Sequence, residues 1–169
     1  MVNFDTYNIN FAEYFRRILR KSPNARLSDI NVIQEKIATL KKPVIISTGG
    51  ANEKAIDDCV YFFEHRNIPL AINHCVSLYP SEDSELELNQ IDFLKDRYPN
   101  HVIGFSTHEM TDWKNSMLIS YGKGARSWER HIDIDYKGVP VSKYCSLPHQ
   151  VDDWFKAFHK AKEMCGGST

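Results

Sequence analysis

The sequence lacks any pair of cysteines close enough for a C-x-x-C motif, because Cys59, Cys75, Cys145 and Cys165 are widely separated. That spacing argues against a zinc knuckle and against a dithiol redox centre, and it leaves reduced thiols as the expectation. Charge of one sign is also missing: the formal net charge is −1, with both signs mixed throughout. Without a basic stripe there is no electrostatic footprint for nucleic acid and no polybasic patch for a membrane. No apolar run approaches the roughly 20 residues needed to span a bilayer. The opening Met1-Val2-Asn3-Phe4-Asp5 has neither the charged nor the apolar region of a secretory signal. These absences point to a cytoplasmic protein whose partners are small molecules or other proteins. What is present, 42% hydrophobic residues over 169 positions, is enough for one ordinary domain.

Apolar spacing then divides the chain. Phe11, Phe15, Ile18 and Leu19 recur at helical intervals and predict a helix over roughly 10–21, stopped by Ser22-Pro23-Asn24. Arg16, Arg17, Arg20 and Lys21 gather towards its end, where the helix dipole favours cations. The cluster is either a phosphate grip or a solvated face. Ser28-Asp29 reads as the start of a second helix, with Ile30, Ile33 and Ile37 as its apolar stripe and an end near Leu40. Lys41-Lys42-Pro43 turns into Val44-Ile45-Ile46, a short β-branched run without polar alternation, as expected for a strand buried on both faces.

Ser47-Thr48-Gly49-Gly50 follows at that strand's end. Small residues let backbone N–H groups approach an anion, and a helix starting near Asn52 would aim its positive end at the same place. A phosphate cradle and a plain tight turn both fit. The helix carries Ala55, Ile56, Cys59, Val60 and Phe63 on one side and ends near Asn67. A second strand, Pro69-Leu70-Ala71-Ile72, leads to His74-Cys75-Val76-Ser77-Leu78-Tyr79-Pro80. An acidic loop over 81–84 precedes an imperfect helical stripe, Leu86 to Leu94, that Pro99 terminates. A third strand over 101–105 leads to Ser106-Thr107-His108-Glu109, and Thr111-Asp112 caps the next helix, with Trp113, Met117, Leu118 and Tyr121. Gly122 and Gly124 close it. A fourth strand over 125–132 contains Glu129, Arg130 and His131, a polar set for a buried strand. The last helix, 151–164, is predicted to turn Trp154, Phe155, Phe158 and Ala161 inward.

Strand and helix thus alternate four times, the pattern of α/β folds with a parallel sheet and right-handed crossovers. If the strands before His74 and His108 are parallel neighbours, both imidazoles sit at the carboxyl end of one sheet, where ligands bind in such folds. Two imidazoles there could hold a divalent metal. Cys75, beside the first, is either a small buried strand residue or a nucleophile. Glu129 is a candidate ligand-side carboxylate, since an unpaired buried charge is costly. His131 either contacts substrate or pairs with Glu129.

The blocks Lys42-Pro43-Val44-Ile45-Ile46-Ser47-Thr48-Gly49, His74-Cys75-Val76-Ser77-x-Tyr79-Pro80, Ile103-Gly104-Phe105-Ser106-x-His108 and Glu129-Arg130-His131 together resemble the N-acetylneuraminate (sialic acid) synthase family in order and spacing. The resemblance implies a (β/α)8 barrel of which residues 25–165 supply the second half, strands five to eight, with 1–24 as a preceding helical segment and 166–169 as a tail. It implies condensation of phosphoenolpyruvate with the open-chain aldehyde of N-acetylmannosamine or a related acylamino sugar, with loss of phosphate. It also implies a divalent metal, manganese or magnesium, held by His74 and His108. Substrate contacts are implied at Ser47, Thr48, Gly49, Ser77, Tyr79, Ser106 and His131, and catalytic carboxylates at Glu129 and Glu109. Tyr79 is equally readable as a packed loop aromatic.

The chain departs from the family pattern at four places. The usual Ser-Asp-His is Ser106-Thr107-His108, which leaves Glu109 to supply charge from the other side of the histidine. The later Gly-Pro-Asp-His is replaced by Pro140-Val141-Ser142-Lys143-Tyr144, the family's strand-four lysine has only Lys21 near its place, and the C-terminal domain resembling antifreeze proteins has no counterpart. A barrel of this type takes about 250 residues. A half-barrel exposes sheet edges and interior, so association with a second copy or with a complementary half-barrel chain is expected. Two other readings are a truncated half-barrel serving as a non-catalytic assembly or binding module, and another metal-dependent aldolase-like barrel.

Overall fold

A computed structural model describes residues 7–10 and 27–166. The chain divides into two compact units, Met1–Asn73 and His74–Thr169. The expected helix over 10–21 falls, apart from its first residue, outside the described residues, as do its arginines.

The first unit holds strand β1 (Tyr7–Asn10), helix α1 (Leu27–Ala38), strand β2 (Val44–Ser47), helix α2 (Glu53–Glu64) and most of strand β3 (Leu70–Cys75). β1 pairs with β2, and β2 with β3, all parallel, with Val44 opposite Tyr7 and Leu70. The short strand β1 was not anticipated from its sequence. Val44 and Ile46 on β2 and Leu70 and Ile72 on β3 are buried, and α2 lays Ile56, Cys59, Val60 and Phe63 into the same core. Asn52 caps α2 as its side chain accepts from the Ala55 N–H at 2.9 Å. Asn67, at φ 55°, makes the left-handed turn that returns the chain to β3, a conformation asparagine tolerates better than most residues.

The second unit starts at the last two residues of β3, His74 and Cys75. It continues with a 3-10 turn (Asp83–Glu85), helix α3 (Gln90–Arg97), strand β4 (Val102–Thr107), helix α4 (Trp113–Gly122), strand β5 (Ser127–Arg130) and helix α5 (Pro148–Met164). β4 and β5 are parallel, with Ser106 opposite Glu129 and Thr107 opposite Arg130. α3 starts later than its apolar stripe suggests because Glu87, at φ 47°, interrupts the helical path. Asp112 caps α4 through the Asn115 N–H, and Gly124, at φ 98°, turns the chain into β5. A Cβ at Gly124 would also lie 2.5 Å from Lys95 Nζ. β5 is shorter than expected: past Arg130 the chain leaves β4 and pairs with the segment before α5, where the Ser146 N–H donates to the His131 carbonyl. Pro148 starts α5, where a missing N–H costs nothing. The inward face of α5 is Trp154, Ala157, Phe158 and Ala161; Phe155 points outward at 51% exposure, a correction to the sequence expectation. α4 and α5 pack through Tyr121 and Phe158, with Trp128 of β5 against both rings. Among the described residues no helix is long and apolar enough to cross a membrane.

Candidate functional site

In the first unit the polar residues collect where β2 ends. Ser47, Thr48 and Gly49 are buried, and Gly50, exposed, turns with φ 75°. The Thr48 N–H donates to the Asn73 carbonyl at 3.0 Å, and the Thr48 carbonyl accepts from the Ala51 N–H. The turn is thereby fixed by backbone bonds. Asn52 already occupies one of the first N–H groups of α2, and Glu53 puts an acidic side chain into its first turn. Asn73 Oδ1, at the end of β3, is buried without a hydrogen-bond partner, the kind of atom that a ligand or water commonly satisfies.

In the second unit the two histidines are held in opposite tautomers. His74 Nε2 lies 2.7 Å from the Leu86 carbonyl, and His108 Nδ1 lies 3.2 Å from the Val76 carbonyl. A carbonyl only accepts, so the bonded nitrogen of each ring carries the proton and the other keeps its lone pair. The nitrogens that keep a lone pair are therefore Nδ1 of His74 and Nε2 of His108. Both side chains are buried, and His74 stacks on Phe105 with centroids 5.7 Å apart. Burial lowers the His74 pKa below its ordinary value. Burial, and then the neighbouring His131, push His108 down to about 4. Both rings are neutral near pH 7. Neutral imidazoles whose other nitrogen donates to a carbonyl are the donor type that first-row divalent cations take, and each of the two rings has that character by itself. Among the described residues no group of three or more His, Cys, Asp and Glu side chains is placed to hold a metal ion.

His108 belongs to a cluster of four rings. Tyr79 lies 4.1 Å from it between centroids, His131 5.2 Å and Tyr144 6.4 Å, and His131 and Tyr144 are 5.1 Å apart. Ser106 precedes His108 by two positions and is opposite Glu129, which precedes His131 by two. The paired Ser106 and Glu129 share one side of the two strands, and the two histidine rings meet beyond the strand ends. Glu129 is close enough for its charge to favour protonation of His108, though burial outweighs it. Ser77 Oγ is buried without a hydrogen-bond partner.

The other side of the same strand ends is built from an ion pair. Arg130 Nη1 donates to Glu109 Oε2 at 2.9 Å and Nη2 to the Glu109 carbonyl at 2.9 Å, and the side chains are 3% and 0% exposed. Thr107 and Ser116 hydroxyls donate to the same carboxylate, one to each oxygen, while Arg130 Nε donates to Ser146. The guanidinium also lies over Trp113, 5.6 Å from the ring centre. Glu109, expected among catalytic carboxylates, thus has both oxygens engaged by protein donors. Arg130, Ser116, Ser146 and Tyr144 were not singled out as site residues from sequence. The signal for Arg130 was there, a cation between Glu129 and His131 on a strand, but its partner lies 21 positions away.

With this geometry in view, comparison with known proteins is informative. The NeuB family model matches residues 2–169. N-acetylneuraminate-9-phosphate synthase of Drosophila melanogaster is 34% identical over 120 residues, 69% of this chain and 31% of that protein. Pseudaminic acid synthase of Campylobacter jejuni is 32% identical over 133 residues, 78% and 38% of the respective lengths. Among solved structures, a candidate spore coat polysaccharide biosynthesis protein E from Chromobacterium violaceum superposes with a TM-score of 0.79 at 32% identity, covering 95% of this chain and 44% of that one. The fold class is α/β, that of a partial (β/α) barrel. The chain spans less than half the length of each of these three relatives, and it belongs to the NeuB family.

Proposed function

We propose that the chain contributes the metal-binding half of a nonulosonic acid synthase. The reaction joins phosphoenolpyruvate to the aldehyde of an acylamino sugar such as N-acetylmannosamine. The observation that carries this reading is the pair of oppositely protonated, neutral imidazoles, each leaving one lone pair at a strand end. His74 and His108 would hold manganese or magnesium, which when bound supplies Lewis-acid polarisation of a carbonyl oxygen.

The enol carbon of phosphoenolpyruvate bonds to the aldehyde carbon, whose oxygen takes up a proton to become a hydroxyl. Water adds at C2 with loss of a proton, and the C2–O bond to phosphate breaks as C2 becomes a ketone and its hydroxyl proton leaves with the phosphate. Glu129 is the carboxylate we assign to the proton of the attacking water, and His131, two positions on, to holding the sugar beside it. Tyr79, Ser77 and Ser106 would contact substrate, the unpartnered Ser77 hydroxyl being the most direct support. Ser47, Thr48 and Gly49 would meet the phosphate, the Thr48 N–H itself being taken by the Asn73 carbonyl. A cytoplasmic location belongs to the same reading.

Isothermal titration with manganese chloride tests it. One site is expected in the unaltered chain, lost in His74→Ala and in His108→Ala. Unchanged binding in both variants would refute the assignment. Association with a second copy, or with a chain carrying a complementary half-barrel, is supported by the exposed apolar run Ile132, Ile134, Tyr136 and Val139.

A further inference from the structure

The reading above uses His108 and His131 and gives no task to the ion pair beside them. We infer that Glu109 and Arg130 form a clamp that holds these two imidazoles ring to ring. Glu109 and Arg130 are thus positioning residues. The inference rests on the proposed function only for the use made of the rings.

Sequence adjacency supplies the lever. His108 directly precedes Glu109 and His131 directly follows Arg130, so a single peptide link joins each imidazole's residue to one member of the pair. Fixing Glu109 to Arg130 therefore fixes the offset between the two histidine backbones. The Arg130 fork bonds both the carboxylate and the backbone carbonyl of Glu109, which sets distance and angle together. Its remaining arm reaches Ser146, whose own N–H binds the His131 carbonyl, so the clamp grips His131 from two sides. On the other strand, the Ser81 N–H donates to the His108 carbonyl at 3.1 Å. The rings so placed stand 5.2 Å apart.

Thr107 sits directly opposite Arg130, so an aspartate placed there would face the guanidinium. One Glu109 carboxylate oxygen meets both the Thr107 hydroxyl and Arg130.

The test is ring-proton NMR on the full chain without added metal. Wild type should give cross-relaxation between the His108 and His131 rings. Glu109→Gln should lose that cross-peak, and Thr107→Asp/Glu109→Gln should regain it. A wild-type cross-peak in Glu109→Gln overturns the clamp, and so does a Thr107→Asp/Glu109→Gln variant that unfolds or stays without it. Should Glu109→Gln fail to fold, Ser146→Ala, which removes only the third anchor, is expected to lose part of the cross-peak, and full intensity there overturns the clamp. In Glu109→Gln, manganese affinity should also fall roughly 10- to 100-fold, the range for groups that support metal ligands. A chain that binds no manganese even as wild type removes the proposed function and leaves the NMR result standing.

Discussion

Where β2 ends, the polar groups are small and neutral, and main-chain bonds from Thr48 to Asn73 and Ala51 hold them. Where β4 and β5 end, the groups are ionisable and buried, and they are held by a guanidinium and three hydroxyls. The first arrangement removes almost no charge from water. The second removes two whole charges, which stabilises the fold only while every partner is present. Local structure therefore secures one strand end, and tertiary complementarity the other. The two should respond differently to substitution and to pH.

The largest difference is expected from Arg130→Met. It leaves the Glu109 carboxylate buried without its cation, and breaking such a pair costs about 3–5 kcal/mol. Urea unfolding should register this, and a loss below about 1 kcal/mol, the scale of an exposed pair, would mean that the two strand ends are held alike. Acid comes next. Folded His108 titrates at about 4 against the ordinary 6.5, so between those values the unfolded chain binds a proton that the folded chain refuses. The stability this contributes is full above pH 6.5 and is lost as pH falls towards 4, about 3 kcal/mol in all. His74 is shifted in the same direction. Unfolding measured across that range in metal-free protein should show the slope, and His108→Asn should flatten it. The smallest effect belongs to the neutral end: Asn52→Ala removes the cap of α2 and should cost about 1 kcal/mol, with little change between pH 7 and pH 5.

Much of this organisation was legible in the sequence, and the part that was not has physical reasons. The β-branched run Val44-Ile45-Ile46, the Asp112 cap and the stripe from Ile56 to Phe63 are local signals, and each element formed where they put it. Local patterns fail where a competitor lies elsewhere in the chain. β5 stops at Arg130 because Ser146, 15 residues beyond His131, captures the backbone. Phe155 reads as core by hydrophobicity, yet the small Ala157 and Ala161 occupy the inward stripe of α5 because α4 packs closely there. The site divides the same way. His74 and His108 could be named from their blocks, whereas their tautomers depend on Leu86 and Val76, carbonyls with no signature in composition. Glu109 could be named, but the direction of its carboxylate could not, because Arg130, Ser116 and Thr107 decide it jointly.

The bond from His74 to Leu86 reaches beyond the choice of tautomer. The chain turns back after β3 and, at Leu86, is tied to a ring at the strand's tip, immediately before the left-handed Glu87. Anything that grasps the opposite edge of that imidazole pulls on the tether, so occupancy at the strand tip is also felt as order in the loop, where amide exchange at residues 83–89 would register it.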